Sequence, residues 1–328
     1  MQGGQDRIMD NRECEVVIVG GSHTDLQLVT VGKDLFSKPS YSVNQMVLTT
    51  GGDTLNEATI ISRLGHKVRL VSCIGKDRIG GVVIDHCEAN GIDTTYLKQD
   101  PEKITSINVG LIFEDHERIF INNKSGCIWT TCPADIDLSA VRDAKIMCFA
   151  SIFNNPLLDG KFMVELCKKA KQEGMIICAD IVTAKNGETI EDIKEGLSYV
   201  DYFFPNLDEA ESLTGKKGVD EVADYLLSLG VKNCIIKVGK KGCVVKNKDE
   251  RLEVAGYPTD KAIDSTGAGD NFASGFISGL LEGKTLRECA ILANVTASIA
   301  VEYVGAVAGV TDRRVVDERY EDYKRRNL

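Results

Sequence analysis

The chain has 328 residues and a formal net charge of −10, with 43% hydrophobic and 27% charged residues. That length and apolar content support one large α/β domain with a sizeable core. The acidic balance argues against nucleic acid or an anionic membrane as partner, and no apolar run approaches the roughly 18 residues that cross a bilayer.

The start, Met1-Gln-Gly-Gly-Gln-Asp-Arg7, is polar and lacks the apolar segment of a signal peptide. Residues 1–13 therefore read as a disordered leader, with Met9 an alternative start. Residues 15–20 form a short buried strand ending in glycine. The stretch 22–50 carries no helical period. Residues 56–64 are predicted helical, with Ala58, Ile60, Ile61 and Leu64 apolar and Gly65 as the stop. A strand over 68–74 and a helix over 79–90 follow. Residues 93–122 read as extended, with 106–113 and 118–122 flanking a polar turn. Further on, strands are expected at 145–151, 175–180, 201–204, 231–238 and 243–246, with helices at 157–173 and 220–229. Strand–helix alternation of this kind means a mostly parallel sheet covered on both faces, with ligands at the carboxyl ends of its strands. The segments 22–50 and 93–122 would form a small β lid. The eleven cysteines are scattered, with no C-x-x-C, and His23, His66, His86 and His116 fall at no zinc spacing. They read as reduced structural thiols in a cytoplasmic protein.

The most informative stretch is Asp264-Ser-Thr-Gly-Ala-Gly-Asp270, followed by apolar residues at 272, 273, 276, 277, 280 and 281. Lys261 to Asp264 reads as the end of a short strand, so the glycines sit where a loop becomes a helix N-terminus. Unpaired amides and the positive end of the helix dipole make that place an anion site. A carboxylate inside it, Asp270, would repel an anionic substrate unless it takes a proton from a hydroxyl that attacks a phosphate. An Asp favoured by the dipole of an ordinary helix would give the same pattern, so spacing alone leaves the role open. Gly279 to Thr285 imitates a P-loop but is one residue short and ends a helix, and Val19 to Asp25 lacks the dinucleotide fingerprint.

Together, Gly51-Gly-Asp-Thr-Leu-Asn56-Glu-Ala and Asp264 to Asp270 resemble, in order and separation, the paired signatures of the ribokinase-like (PfkB) sugar kinases. The similarity runs from Cys14 to about Gly309. An uncharacterised bacterial sugar kinase of that family shares 51–68, 150–161 and 267–276. The resemblance implies a three-layer α/β/α sandwich with a mostly parallel sheet and a β lid. It places one kinase domain at 14–312 and a charged C-terminal helix at 313–328. It implies Asp270 as general base and Gly267, Ala268 and Gly269 as the anion hole. Asp25, Gly51, Gly52, Asp53, Asn56, Asn108 and Asn154 would bind the sugar. Asn206 and Glu209 would lie near magnesium and the phosphates, with Lys237, Gly239, Gly242 and Asn294 around the nucleotide. Asp264 and Thr266, with carbonyls of Ala300, Tyr303, Gly305 and Gly309, match a monovalent-cation site, for which K⁺ is the expected ion. The implied activity is ATP-dependent phosphorylation of a primary hydroxyl of a small sugar or keto-sugar acid, with ATP and Mg²⁺ as cofactors and a homodimer formed through the lid. A nucleoside or hydroxymethylpyrimidine kinase, or a catalytically silent sugar-binding regulator of the same fold, is the alternative. The segment Asp180 to Lys185 departs from the family's usual residues, and Asn154-Asn-Pro156 stands where other members present a substrate-reading side chain, which leaves the sugar open.

Overall fold

The computed structural model describes residues 14–114 and 118–327, so the leader and Met9 lie outside the described residues. The chain runs β1 (Val16–Val19), β2 (His23–Val31), β3 (Gln45–Gly51), α1 (Asp53–Arg63), β4 (Val68–Gly75), α2 (Arg78–Ala89) and β5 (Leu97–Asp100). A hairpin of β6 (Ile107–Phe113) and β7 (Arg118–Asn122) leads to the short α3 (Cys127–Thr130). Then come β8 (Ile146–Ile152), α4 (Gly160–Gln172), β9 (Ile176–Ile181), α5 (Ile190–Leu197), β10 (Tyr202–Phe203), α6 (Leu207–Thr214) and α7 (Val219–Ser228). The chain ends with β11 (Asn233–Lys237), β12 (Gly242–Lys246), β13 (Arg251–Ala255), α8 (Ala268–Leu281), α9 (Leu286–Ala300) and α10 (Arg313–Asn327).

Nine strands form one sheet in the order β13-β12-β11-β10-β9-β8-β1-β4-β5. It is parallel except where β12 pairs with β11 and β13. Its central strands are buried on both faces, so alternate residues feed two cores. Val16, Ile18, Ile146, Cys148, Cys178 and Ile235 pack against α1, α2, α8, α9 and α10. Val17, Val19, Met147, Phe149, Cys234 and Ile236 pack against α4, α5 and α7. The result is the three-layer sandwich.

The second sheet has the order β3-β2-β6-β7 and is the lid. Its register sorts side chains by face. Thr49, Asp25, Asn108 and Asn122 stand in one row, and Val47, Gln27, Gly110 and Phe120 in another. The intervening rows, Leu48-Leu26-Val109-Ile121 and Met46-Leu28-Leu111-Ile119, are wholly apolar and lie on the opposite face. A one-residue slip would exchange polar and apolar faces, which pins the pairing.

Several expectations are corrected. Lys261 to Asp264 forms no strand, because the amides of Ile263 and Asp264 donate to the Val301 carbonyl at the end of α9 rather than to a strand. Helix α1 starts at Asp53, three residues early, behind Gly52 at φ 91°. Helix α4 starts at Gly160, where the Asp159 side chain accepts from the Phe162 amide. The P-loop mimic is the end of α8, with Gly283 at φ 70°. Among the described residues no helix is long and apolar enough to cross a membrane. All eleven cysteines are free thiols.

Candidate active site

A cleft of about 1350 Å³ opens between the carboxyl ends of the main strands, the N-terminus of α8 and the polar face of the lid. It is large enough for two substrates end to end. His23, Asp25, Gln27, Asp53, Asn56, Asn108 and Phe120 line one end. Asp180, Asn206, Glu209, Lys237 and 264–270 line the middle, and Gly239, Gly242, Tyr257, Asn294 and Arg326 the far end.

The two motifs meet directly: Asn56 Nδ2 on α1 donates to Asp270 Oδ2 on α8 at 2.7 Å, across 214 positions of sequence. This bond fixes the carboxylate's rotamer and leaves the buried Asn56 Oδ1 without a partner. Burial pushes the Asp270 carboxyl up to about 6. The Asn56 bond opposes that shift, the charge of Asp180 adds to it, Lys237 lowers it and Asp25 raises it again. A carboxyl tuned near neutrality suits a general base.

Gly267 caps α8 at φ 72°, and a Cβ there would lie 2.5–2.8 Å from Ala306, so only glycine holds this turn. The Ala268 amide donates to Ser265 O at 3.2 Å, whereas among the described residues no backbone acceptor meets the amides of Gly267, Gly269 or Asp270. Of the loop's amides, those of Gly267, Gly269 and Asp270 are thus left without a backbone acceptor, and that of Ala268 is not.

Behind it, Asn271 Nδ2 donates to Gly267 O and Ala306 O, both at 2.7 Å. Asp264 accepts from the amides of Thr266 and Gly305 at 2.8 and 2.9 Å. These bonds tie the loop of 264–267 to that of 301–310, which Arg63 also holds through the Val307 and Val310 carbonyls. Tyr303, Gly305 and Gly309 lie on the second loop, whereas Ala300 ends α9 and its carbonyl accepts from the Tyr303 amide at 3.1 Å.

At the lid end, Asp25 Oδ1 accepts from Asn108 Nδ2 at 3.0 Å and faces His23 Nε2 at 3.3 Å. His23 Nδ1 and Gln27 Oε1 are buried without partners. Its enclosed position, then the charges of Asp270 and Asp180, raise the Asp53 carboxyl well above the usual carboxylate range. Asn206 and Glu209 cap α6 reciprocally, at 2.8 and 2.9 Å, while facing the cleft. Asn294 Nδ2 is held by the Val254 and Ala255 carbonyls at 3.3 Å.

Asn154 is outside the cleft lining; its carbonyl and Oδ1 accept from Lys185 Nζ. The sequence reading also overlooked Gln27, Phe120, Tyr257 and Asn271, and it noted Asp180 only as a departure, without a role. Strand alternation from Asp25 would have flagged Gln27. Nothing local marks Asn271, whose partners are set by tertiary packing.

The pfkB family carbohydrate kinase model matches residues 14–313. The chain belongs to the pfkB family. It is 28% identical over 286 residues to a ribokinase of Haemophilus influenzae, covering 85% of this chain and 90% of that one. It is 25% identical over 272 residues to a 2-dehydro-3-deoxygluconokinase of Bacillus subtilis, with 80% and 83% covered. The crystal structure of Thermotoga maritima ribokinase superposes with a TM-score of 0.80 at 27% identity, over 94% of this chain and 99% of the other. This pfkB member is therefore a sugar kinase with the ribokinase-like fold.

Proposed function

We propose that the protein transfers the γ-phosphate of ATP to a primary hydroxyl of a small sugar or keto-sugar acid, with Asp270 as general base. The observation that carries this reading is the bond from Asn56 to Asp270, which aims a near-neutral carboxyl at the junction of the sugar end and the anion hole. Asp25, Asn108, Gly51, Gly52, Asp53 and Asn56 bind the sugar. The unpartnered His23 Nδ1, Gln27 Oε1 and Asn56 Oδ1 support this, since buried polar atoms without partners are costly and a polyol would satisfy them. Asn154 is set aside as a direct contact, because Lys185 occupies its oxygens.

Asp270 accepts the hydroxyl proton as that oxygen attacks the γ-phosphorus. The bond to the β–γ bridging oxygen breaks and ADP leaves. The amides of Gly267, Gly269 and Asp270 meet charge growing on the transferred group, so positioning and electrostatics supply most of the rate. Glu209 and Asn206 would hold Mg²⁺ through the phosphates, and the ion supplies charge neutralisation when bound. Lys237, Gly239, Gly242 and Asn294 bind the nucleotide. Asp264 and Thr266 with the 300–309 carbonyls would hold K⁺, which stiffens the loop behind the hole. The apolar rows on the outer lid face support a homodimer formed there. Met46 is 60% exposed, and Leu48, Ile119 and Ile121 about half exposed.

An ATP-coupled panel of aldoses, ketoses and keto-sugar acids tests the reading. We expect turnover of at least one sugar, and a fall of roughly 10²–10⁴ in Asp270→Asn with nucleotide affinity near wild type. Turnover retained in that variant rejects the base.

A further inference from the structure

Lys237 ends β11 and Asp180 lies near the end of β9, the two strands that flank β10. The lysine reaches over the end of β10, and Nζ grips both carboxylate oxygens of Asp180 at 2.8 and 3.1 Å. The pair is buried, with side-chain exposures of 13% and 6%. Asp180 Oδ1 also accepts the Ile181 amide at 2.8 Å, which locks its rotamer. Stability alone does not call for such a pair, because well-packed apolar residues in its place are often neutral or stabilising.

Its position gives the reason. Nζ lies 3.2 Å from where a Cβ on Gly269 would sit, so the ammonium abuts the anion hole. An ammonium has three donors and Asp180 engages two contacts, which leaves one for a ligand in the cleft. The other groups around it are mostly carboxyls, Asp53 on α1, Glu209 on α6 and Asp270 on α8, each raised by burial, with Lys185 the other nearby cation. A triphosphate entering this middle section needs a fixed positive charge. Burial lowers the Lys237 ammonium's pKa, but the charges of Asp180, Glu209 and Asp270 outweigh it and hold the proton on.

We propose that Lys237 Nζ contacts the transferred phosphoryl group beside Gly269, and that Asp180 is the positioning residue that holds it there. This rests on the kinase reading above and adds Asp180, which that reading leaves without a role.

The test is calorimetric titration of MgATP, and of adenosine as a phosphate-free control, into wild type, Lys237→Met, Asp180→Asn and the double variant. Lys237→Met should weaken MgATP roughly 10–100-fold, the range for a hydrogen bond to a charged group, and leave adenosine unchanged. Asp180→Asn removes an anion from the phosphate site and should bind MgATP no more weakly than wild type, yet turn over roughly tenfold or more slower, as expected for a misplaced donor. The acidic limb of turnover should move to lower pH in Asp180→Asn and to higher pH in Lys237→Met, because one change removes a negative and the other a positive charge near Asp270. Lys237→Met alone leaves a buried carboxylate uncompensated and can unfold the protein. The double variant removes that charge, should melt like wild type and should keep the weak MgATP binding.

Wild-type MgATP affinity in Lys237→Met, wild-type turnover in Asp180→Asn, or MgATP affinity regained by the double variant would each overturn this inference alone. A wild-type protein that binds no MgATP would overturn the kinase reading and this inference together.

Discussion

The phosphate end and the sugar end of the cleft are built on opposite terms. At the phosphate end, side chains are already paired with the protein: Asp264 with the Thr266 and Gly305 amides, Asn271 with two carbonyls, Asp180 with Lys237. Backbone amides, part of one ammonium and the buried Asn271 Oδ1 are left over. At the sugar end, His23 Nδ1, Gln27 Oε1 and Asn56 Oδ1 are buried and unpartnered. One end is preorganised for a charge development that is the same whichever sugar is bound. The other keeps its hydrogen-bonding capacity for a ligand, through His23 and Gln27 on the lid strand β2 and Asn56 on α1. On the proposed reading the lid carries most of the specificity and α8 the chemistry, with Asn56 joining the two.

Breaking the phosphate end should have the largest effect. Gly267→Val puts a branched side chain at φ 72° against the Ala306 backbone and displaces the hole. Turnover should fall roughly 10²–10³, the cost of losing an oxyanion donor, while the KM for sugar stays near wild type. Steady-state kinetics would show the split. Damage at the sugar end should be milder and of the other kind. Asp25→Ala removes a charged acceptor, so the KM for sugar should rise roughly 10–100-fold with the Kd of ATP unchanged in calorimetry. The smallest effect on chemistry should come from the outer lid face. Ile121→Glu places a charge among the apolar rows, and sedimentation should shift from dimer to monomer with turnover changed only a few-fold. A monomeric wild type would remove the dimer from the account and leave the two ends intact.

The phosphate end was largely legible in the sequence because its signals are local. Two glycines before an amphipathic run specify a loop entering a helix, and Asp270 sits three residues past the cap at Gly267. The alternation of β2 likewise places Asp25 and Gln27 on one face. What could not be read depends on distant chain. Asp180 is an ordinary strand-end carboxylate until β11 brings Lys237 beside it, 57 positions later. Asn271 has partners 4 and 35 positions away on a loop with no period of its own. Lys261 to Asp264 looked like a strand end because it precedes a glycine loop that enters a helix, but the amides of Ile263 and Asp264 go to the Val301 carbonyl. Helix α9 was passed over because it is buried almost all round, which erases the polar face that periodicity depends on.

The central claim is that the buried, Asn56-held carboxyl of Asp270 must be ionised when the sugar oxygen attacks. Burial raises this acid above its ordinary value of 3.8 to about 6, so the base is mostly protonated at pH 5 and mostly ionised at pH 7. The direct measurement is the rate of phosphoryl transfer in single turnover from pH 5 to 8, with MgATP saturating. The account predicts a rise of roughly tenfold between pH 5 and pH 7 with a midpoint near 6, and a plateau above it. A rate that stays flat across that range would contradict it.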